Sequence, residues 1–342
     1  MQRVLITGGA GFIGSHLTER LLAEGCRVTV LDDLSTGSLE NLEIALGDPR
    51  LDFIEGTILD PPLVRRLVSA NDLVIHLAAA VGVRYILDNP LSTIKTNVRG
   101  TDILLEAAAD AGAKVLMAST SEVYGKNNAD SLCEDADSVL GPASINRWSY
   151  ATGKKLDEFL ALAYARTARL PVVILRFFNI AGPRQAGRYG MVLPTFVRAA
   201  WAGQPLRVFG DGCQTRNFTY VEDCVEALWR LLSCPAAEGE AVNIGGAEEI
   251  SIFDLACRVL RVTGSTSPIV RVSYEEAYPG GDFEDMRRRV PCTCKIQRLV
   301  GWSPVTTLDD MIRATARFEE QAARSDARRL LLPQGPLPVL QS

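Results

Sequence analysis

The chain has 342 residues, 47% of them hydrophobic, and a formal charge of −5 from 36 basic and 41 acidic residues, so it can bury a large core and carries no basic excess. That balance argues against a nucleic-acid partner, whose recognition would rest on a basic face; Arg287 to Arg289 is the one compact basic run. No apolar stretch reaches the ~18 residues needed to span a bilayer, and Met1 leads straight into a strand pattern rather than a basic and apolar leader, so no membrane association and a cytoplasmic location are expected.

The opening residues RVLITGGAGFIGSHLTERLLAEGCRVTVLDD read as strand, glycine turn, helix, strand, acid. Val4, Leu5 and Ile6 fit a buried strand, and Ile13, Leu17, Leu21 and Leu22 share one face of the helix that follows. Gly8, Gly11 and Gly14 lie between them. Glycine is needed there for positive φ, for close approach of backbone to a pyrophosphate, and for tight packing of helix on strand. A helix starting near Phe12 offers its free N–H groups and positive dipole end to the phosphates. Asp32 closes the second strand, where a carboxylate can bind both adenosine ribose hydroxyls. No arginine follows it to hold a 2′-phosphate, so the pattern predicts NAD rather than NADP.

Further strand-like runs follow at Val28 to Leu31, Asp52 to Ile54, Leu73 to Leu77, Val115 to Ala118 and Val172 to Arg176, with helical stretches near Leu63 to Ser69, Leu91 to Ala111 and Tyr150 to Thr167. The alternation predicts an α/β chain: a Rossmann doubly wound parallel sheet with a smaller C-terminal substrate-binding lobe. The expected division is a dinucleotide-binding domain over residues 1–178, to which some later segments return, a lobe over 179–330 and a tail over 331–342. Within the lobe, AGPRQAGRYGMVLPTF precedes a helix, a strand at Leu206 to Phe209 and the loop GDGCQTRNFTYVEDC. Then come Ala241 to Ile244, a helix near Ile252 to Thr263, a strand near Ile269 to Ser273 and a last helix from Leu308. Eight cysteines are scattered singly except for Cys292 and Cys294, and the only histidines are His16 and His76; reduced thiols and no metal site are expected.

Tyr150 and Lys154, in SYATGKK, stand one helical turn apart and project from one face. They follow VLMASTSEVYG, which places Ser119, Thr120, Ser121 and Glu122 at the C-terminal end of a strand, where parallel sheets bind their ligands. A tyrosine needs a neighbouring cation to act as a base near neutral pH.

The motifs TGGAGFIG, HLAA at His76 to Ala79, ASTSEVYG, YxxxK, RFFNIAGPR, VFGDGCQTRNFTYVEDC and VGWSP are similar, in this order, to extended short-chain dehydrogenases/reductases that modify nucleotide sugars. The similarity covers nearly residues 1–320. It implies that Tyr150 is the acid/base, that Lys154 lowers its pKa and binds the nicotinamide ribose, and that Thr120 hydrogen-bonds the reacting hydroxyl, with Ser121 and Glu122 beside it. It further implies a cofactor site of Gly8, Gly11, Phe12, Ile13, Gly14, Asp32, Ser35, Thr36 and Gly37 on the adenosine and diphosphate side. Thr57, Ile58, Leu77, Ala78, Ala79, Asn97, Ser119, Phe177, Tyr150 and Lys154 complete it. Thr57 is a departure, because the family often has an acid there to hold the adenine amino group.

For the substrate the resemblance implies a UDP-sugar, with Asn179 on the sugar and diphosphate, Arg216 and Arg289 on the phosphates, and Val192, Phe196, Val208 and Phe209 around uracil and ribose. Arg188 is expected near the sugar C6, where its planar fork suits a carboxylate and hence a hexuronate. The reaction expected is 4-epimerisation of UDP-glucuronate to UDP-galacturonate through a 4-keto sugar with NAD regenerated each cycle. The alternatives are a UDP-glucuronate decarboxylase, in which a Thr-Ser-Glu run accompanies an arginine near the position of Arg289, and a UDP-glucose 4-epimerase. A 4,6-dehydratase or a non-catalytic NAD-sensing scaffold ranks behind these. A homodimer through the helices near Leu91 to Ala111 and Tyr150 to Thr167 is also implied.

Overall fold

The opening apolar run forms β1 (Arg3–Thr7), buried from Val4 inward, and the glycine turn leads from it into α1 (Phe12–Ala23). This is a computed structural model, and it describes residues 1–187, 191–280 and 284–331. β2 (Arg27–Asp32), β3 (Leu51–Glu55) and α2 (Pro61–Ser69) follow. Asp60 caps α2 by accepting the Leu63 N–H at 3.2 Å, and Pro61 occupies a first-turn position whose N–H would have no helical partner. After β4 (Leu73–His76) come two short helices, α3 (Val83–Asp88) and α4 (Pro90–Ile94). Through a π-turn at Lys95–Arg99, α4 runs into α5 (Gly100–Ala111), which Gly112 ends in the left-handed region at φ 66°. β5 (Lys114–Thr120), α6 (Trp148–Thr167) and β6 (Val172–Phe177) complete the first half.

These strands form one seven-stranded sheet in the order Glu240–Ile244, β6, β5, β4, β1, β2, β3, with every pairing parallel. Helices cover both faces. On one, Leu17 and Leu21 of α1 pack with Leu228 and Leu231 of the helix Val221–Leu232; on the other, Val64 of α2, Leu104 of α5 and Ala161 of α6 close the core. The chain leaves β1 for β2 and β3, then returns to place β4 on β1's opposite side. The crevice at that reversal, outside the carboxyl ends of β1 and β4, is where a doubly wound sheet receives a ligand.

The smaller lobe packs the helices Val192–Trp201, Ile252–Thr263 and Leu308–Leu331 against a parallel pair, Leu206–Phe209 with Ile269–Val272. A separate ribbon sets Thr215–Asn217 between Glu249–Ser251 and Arg288–Arg289, with Arg216 opposite Arg289. The segment read as one loop through Cys224 becomes helical at Val221, where Glu222 and Asp223 occupy the first turn and complement the helix dipole. The last helix runs to Leu331, and residues 332–342 of the expected tail lie outside the described residues. No helix among the described residues is long and apolar enough to cross a membrane.

Candidate active site

A cleft of about 1300 Å³ opens over the carboxyl ends of the sheet and extends beneath the smaller lobe. Its floor is the first turn. Gly8 has φ 75°, and a Cβ there would lie 2.7 Å from the Ala78 nitrogen; a Cβ on Gly14 would lie 2.2 Å from the Gly8 carbonyl oxygen. Both side chains are excluded by backbone, so the turn leaves its N–H groups open to a diphosphate. Gly11, at the N-terminus of α1, makes no side-chain cap, and Phe12 and Ile13 line the cleft beside it.

Asp32 is buried at the end of β2 and accepts the Ala10 and Leu34 N–H groups, each at 2.9 Å. Burial raises its pKa, and those two hydrogen bonds oppose the rise. One lone pair on each oxygen remains for ribose hydroxyls. Ser35, Thr36 and Gly37 line the same end, with Ile58, Leu77, Ala78 and Ala79 across from them and Phe177 at the end of β6. This cradle, carboxylate and apolar slot fit a dinucleotide.

Three expected contributors take other positions. The Thr57 hydroxyl accepts the Leu59 N–H at 3.2 Å, and its neighbours Gly56 and Ile58 line the cleft instead. Asn97 is buried with both amide atoms committed to Ala80, accepting its N–H at 2.7 Å and donating to its carbonyl at 3.1 Å; it pins the loop after β4 rather than facing the cleft. Val208 is fully buried in the core of the smaller lobe, because strand alternation turns its neighbour Phe209 toward the cleft. Val192, Phe196 and Phe209 do line it. Arg188 lies outside the described residues.

At the centre, Ser119 donates to Glu158 at 2.7 Å, and Glu158 is itself held by Arg176 at 2.8 Å. The Thr120 hydroxyl accepts the Glu122 N–H at 3.2 Å, which starts the short turn Ser121–Tyr124 and carries Ser121 and Glu122 over the cleft. Tyr150 and Lys154 both line the cleft from α6. The Lys154 ammonium donates to the Ala118 carbonyl at 3.2 Å and stands 3.2 Å from the Asp157 carboxylate. Burial, and then the charges of Glu122 and Asp157, hold the Tyr150 phenol well above its ordinary range, with Arg147 opposing them. The charge of Lys154 is thus met by a carboxylate, a contact the sequence reading did not include.

Glu122 is the hub of the substrate side. Arg147 grips it with both terminal nitrogens, and Arg289 Nη1 lies 3.5 Å away. Burial works against the Glu122 charge, but the two guanidiniums outweigh it and hold the carboxyl down at about 2. Arg289 also donates to Asn179 Oδ1 at 2.7 Å, while its buried Nε makes no hydrogen bond among the described residues. Burial and the charges of Arg216 and Arg147, set against Glu122, bring Arg289 down to about 10, so it remains a cation at neutral pH. Asn179 holds φ 41° and donates to the Asn217 carbonyl at 2.7 Å. Arg216 is fixed by the Thr215 and Met286 carbonyls and by Asp285 at 2.6 Å, and Tyr274 donates to that same carboxylate at 2.7 Å.

Arg147 is the main residue that sequence reasoning missed. Its signal was present, since it lies three residues before Tyr150 and so on the same helical side, but its carboxylate partner is remote in sequence.

The pattern described as the NAD dependent epimerase/dehydratase family matches residues 4–245. The chain is 42% identical over 318 residues to a UDP-N-acetyl-alpha-D-glucosaminuronate decarboxylase of Bacillus cytotoxicus, covering 93% of this chain and 97% of the relative. It is 34% identical over 333 residues to UDP-glucuronic acid decarboxylase 1 of Xenopus tropicalis, covering 97% of this chain and 76% of that one. Among solved structures, the UDP-glucuronic acid 4-epimerase of Bacillus cereus, with UDP-glucuronic acid and NAD, superposes with a TM-score of 0.84 at 29% identity, covering 94% of this chain and 99% of the other. With its glycine cradle, Tyr150 and Lys154 pair and parallel sheet, this chain belongs to the NAD-dependent epimerase/dehydratase family, within the extended short-chain dehydrogenases/reductases.

Proposed function

We propose that this chain is an NAD-dependent UDP-hexuronate decarboxylase, with UDP-glucuronate and its 2-acetamido counterpart as candidate substrates. The observation that carries this reading is the buried Glu122 clasped by Arg147 and approached by Arg289 beside Tyr150. The full-length similarity to decarboxylases of UDP-hexuronates supports it. The 4-epimerase expected from sequence stands second, favoured by the structural likeness to the Bacillus cereus enzyme.

Tyr150 takes the proton of the sugar C4 hydroxyl, and Thr120 orients that oxygen. NAD, when bound, supplies the hydride acceptor for C4 and returns the hydride at the end. A ketone at C4 makes the sugar a β-keto acid, so the bond from C5 to the carboxylate breaks and leaves its electron pair on the C4 oxygen, where Tyr150 and Thr120 donate hydrogen bonds. C5 then takes a proton from water, which re-forms the ketone, and the proton held by Tyr150 goes back to the C4 oxygen as the hydride returns. Glu122, ionised down to about 2, does not give up a proton at neutral pH. Its charge repels the departing carboxylate and favours neutral carbon dioxide, while Arg147 and Arg289 keep it in place. Asn179, Arg216 and Arg289 form the polar wall for the nucleotide diphosphate.

Incubation of the protein and NAD with each UDP-hexuronate, followed by mass spectrometry and carbon dioxide detection, tests this. A UDP-pentose or 4-keto pentose with carbon dioxide release is expected; a product of unchanged mass and inverted C4 replaces this reading with the epimerase. We also infer a homodimer, because Leu91 and Ile94 of α4 and Leu156 and Phe159 of α6 are apolar side chains left exposed on neighbouring helices.

A further inference from the structure

The CxC pair that the sequence sets apart, Cys292 and Cys294, has no part in the chemistry above, yet the fold brings a third thiol to it. Leu132 and Pro291 form a parallel bridge: the Leu132 N–H donates to the Val290 carbonyl at 2.8 Å, and the Cys292 N–H donates to the Leu132 carbonyl at 3.0 Å. The next residues along the two segments are Cys133 and Cys292. Strands paired this way run about 4.8 Å apart, within the roughly 4.4–6.8 Å between Cα atoms that a disulfide bridges. Side chains one step beyond a parallel bridge point to the same side, so the two thiols face one another closely enough for each to shift the other's titration. Asn243 fixes both backbones by donating to the Leu132 carbonyl at 2.8 Å and the Cys292 carbonyl at 3.1 Å. All three cysteines are reduced; Cys133 and Cys292 are half-buried and Cys294 is exposed.

We propose that Cys133 and Cys292 are a hydroperoxide-responsive pair that closes a reversible disulfide between the loop after the Thr120 to Glu122 turn and the segment carrying Arg289. The two thiols are not equivalent. Burial opposes a thiolate at Cys292, but the Cys294 N–H and the Cys133 and Cys294 thiols outweigh it and bring Cys292 below the ordinary thiol range. The neighbouring Cys292 thiol, joined by burial, pushes Cys133 up to about 11. Cys292 is therefore the thiol that reacts first and Cys133 the one that resolves it. The Cys292 thiolate attacks a peroxide oxygen, forming an S–O bond and breaking the O–O bond, with one water released. Cys133, losing its proton, then attacks the Cys292 sulfur; the S–S bond forms, the S–O bond breaks and hydroxide leaves as a second water. Two thiols lose two electrons and the peroxide is reduced. A dithiol reductant reverses the reaction by exchange.

The test treats the reduced full-length protein with hydrogen peroxide, alkylates the remaining thiols, and reads intact mass and non-reduced peptides. The expected result is loss of two hydrogens, two fewer alkylated cysteines, one linked peptide joining Cys133 to Cys292, and recovery with dithiothreitol. Because the bond closes a long loop, the thermal midpoint should rise on oxidation by a few degrees and fall back on reduction. In Cys133→Ser, peroxide followed by dimedone should label Cys292. Separate alkylated Cys133 and Cys292 peptides after treatment, a link from Cys292 to Cys294 or to another chain in the wild type, or a dimedone adduct on another cysteine with none on Cys292 would each overturn the proposal.

Discussion

Lys154 and Asp157 form an ion pair withdrawn from solvent: Nζ lies 3.2 Å from Oδ2, and the side chains are 3% and 0% exposed. Thr101 and His76 are buried behind it, with His76 bonded to Thr101 at 3.1 Å and to Thr7 at 2.7 Å. Burial and the neighbouring charge of Lys154 bring His76 down to about 3, so it stays neutral at working pH and adds no second positive charge beside the lysine. Asp157 raises the Tyr150 pKa and Lys154 is spent neutralising it. Asp157→Asn removes the anion and leaves the lysine charge uncompensated. The acidic limb of kcat/KM should then move to lower pH by roughly one unit, read in a pH profile of sugar turnover. An unchanged or upward limb contradicts this account.

Tyr150→Phe keeps the ring and removes the proton acceptor. Turnover should fall about 10²- to 10⁴-fold, while NAD retained after gel filtration stays the same. Wild-type turnover in this variant would remove Tyr150 from the mechanism.

Glu122→Gln tests the hub. In the folded protein the carboxyl is held at about 2, against about 4.3 for an unfolded chain. A depressed pKa contributes stability that is present above the unfolded value and is lost as pH falls toward the folded one. Near neutral pH the variant leaves Arg147 buried with its partner charge gone, which costs about 3 kcal/mol. The gap in denaturant midpoint between variant and wild type should be widest above pH ~4.3 and narrow toward about 2. A gap that is flat across that window rules out the ion pair as its source.

Gly14→Ala places a methyl carbon 2.2 Å from the Gly8 carbonyl oxygen, a contact that backbone must move to relieve. NAD binding, followed by isothermal calorimetry, should be lost or weakened by at least an order of magnitude, and the melting temperature should drop. Unimpaired binding would mean that the turn is not the diphosphate cradle.

Phe159→Glu puts a charge on the exposed apolar face of α6, where Phe159 is 62% exposed. Light scattering should give a dimer for the wild type and a monomer for the variant. A wild-type monomer ends the dimer proposal.

Local patterns made the fold readable: Val4 to Ile6, the glycine turn, Asp32 and the Tyr150 to Lys154 spacing each describe a structure within a few residues of themselves. The π-turn at Lys95–Arg99 was hidden because its residues still read as one long helix. Contacts set by topology were also invisible. Arg216 and Arg289 become strand partners only through a two-residue strand too short to carry a period, and Arg147 meets Glu122 only after α6 has docked on β5. Asn97 and Val208 matched the right elements but point away from the cleft, because one residue satisfies the Ala80 backbone and the other sits on the core face of its strand.

The strand Glu240–Ile244, which pairs with β6, also imposes an order on synthesis. When β6 emerges from the ribosome, the partner for its outer hydrogen-bonding row has not yet been made, and the intervening residues of the smaller lobe must be translated first. At roughly 5–20 residues per second this leaves the row uncovered for several seconds. During that interval a β6 from a neighbouring nascent chain is a competing partner. Slow translation between residues 178 and 239 should therefore lower the yield of folded protein more than the same pause placed after residue 244.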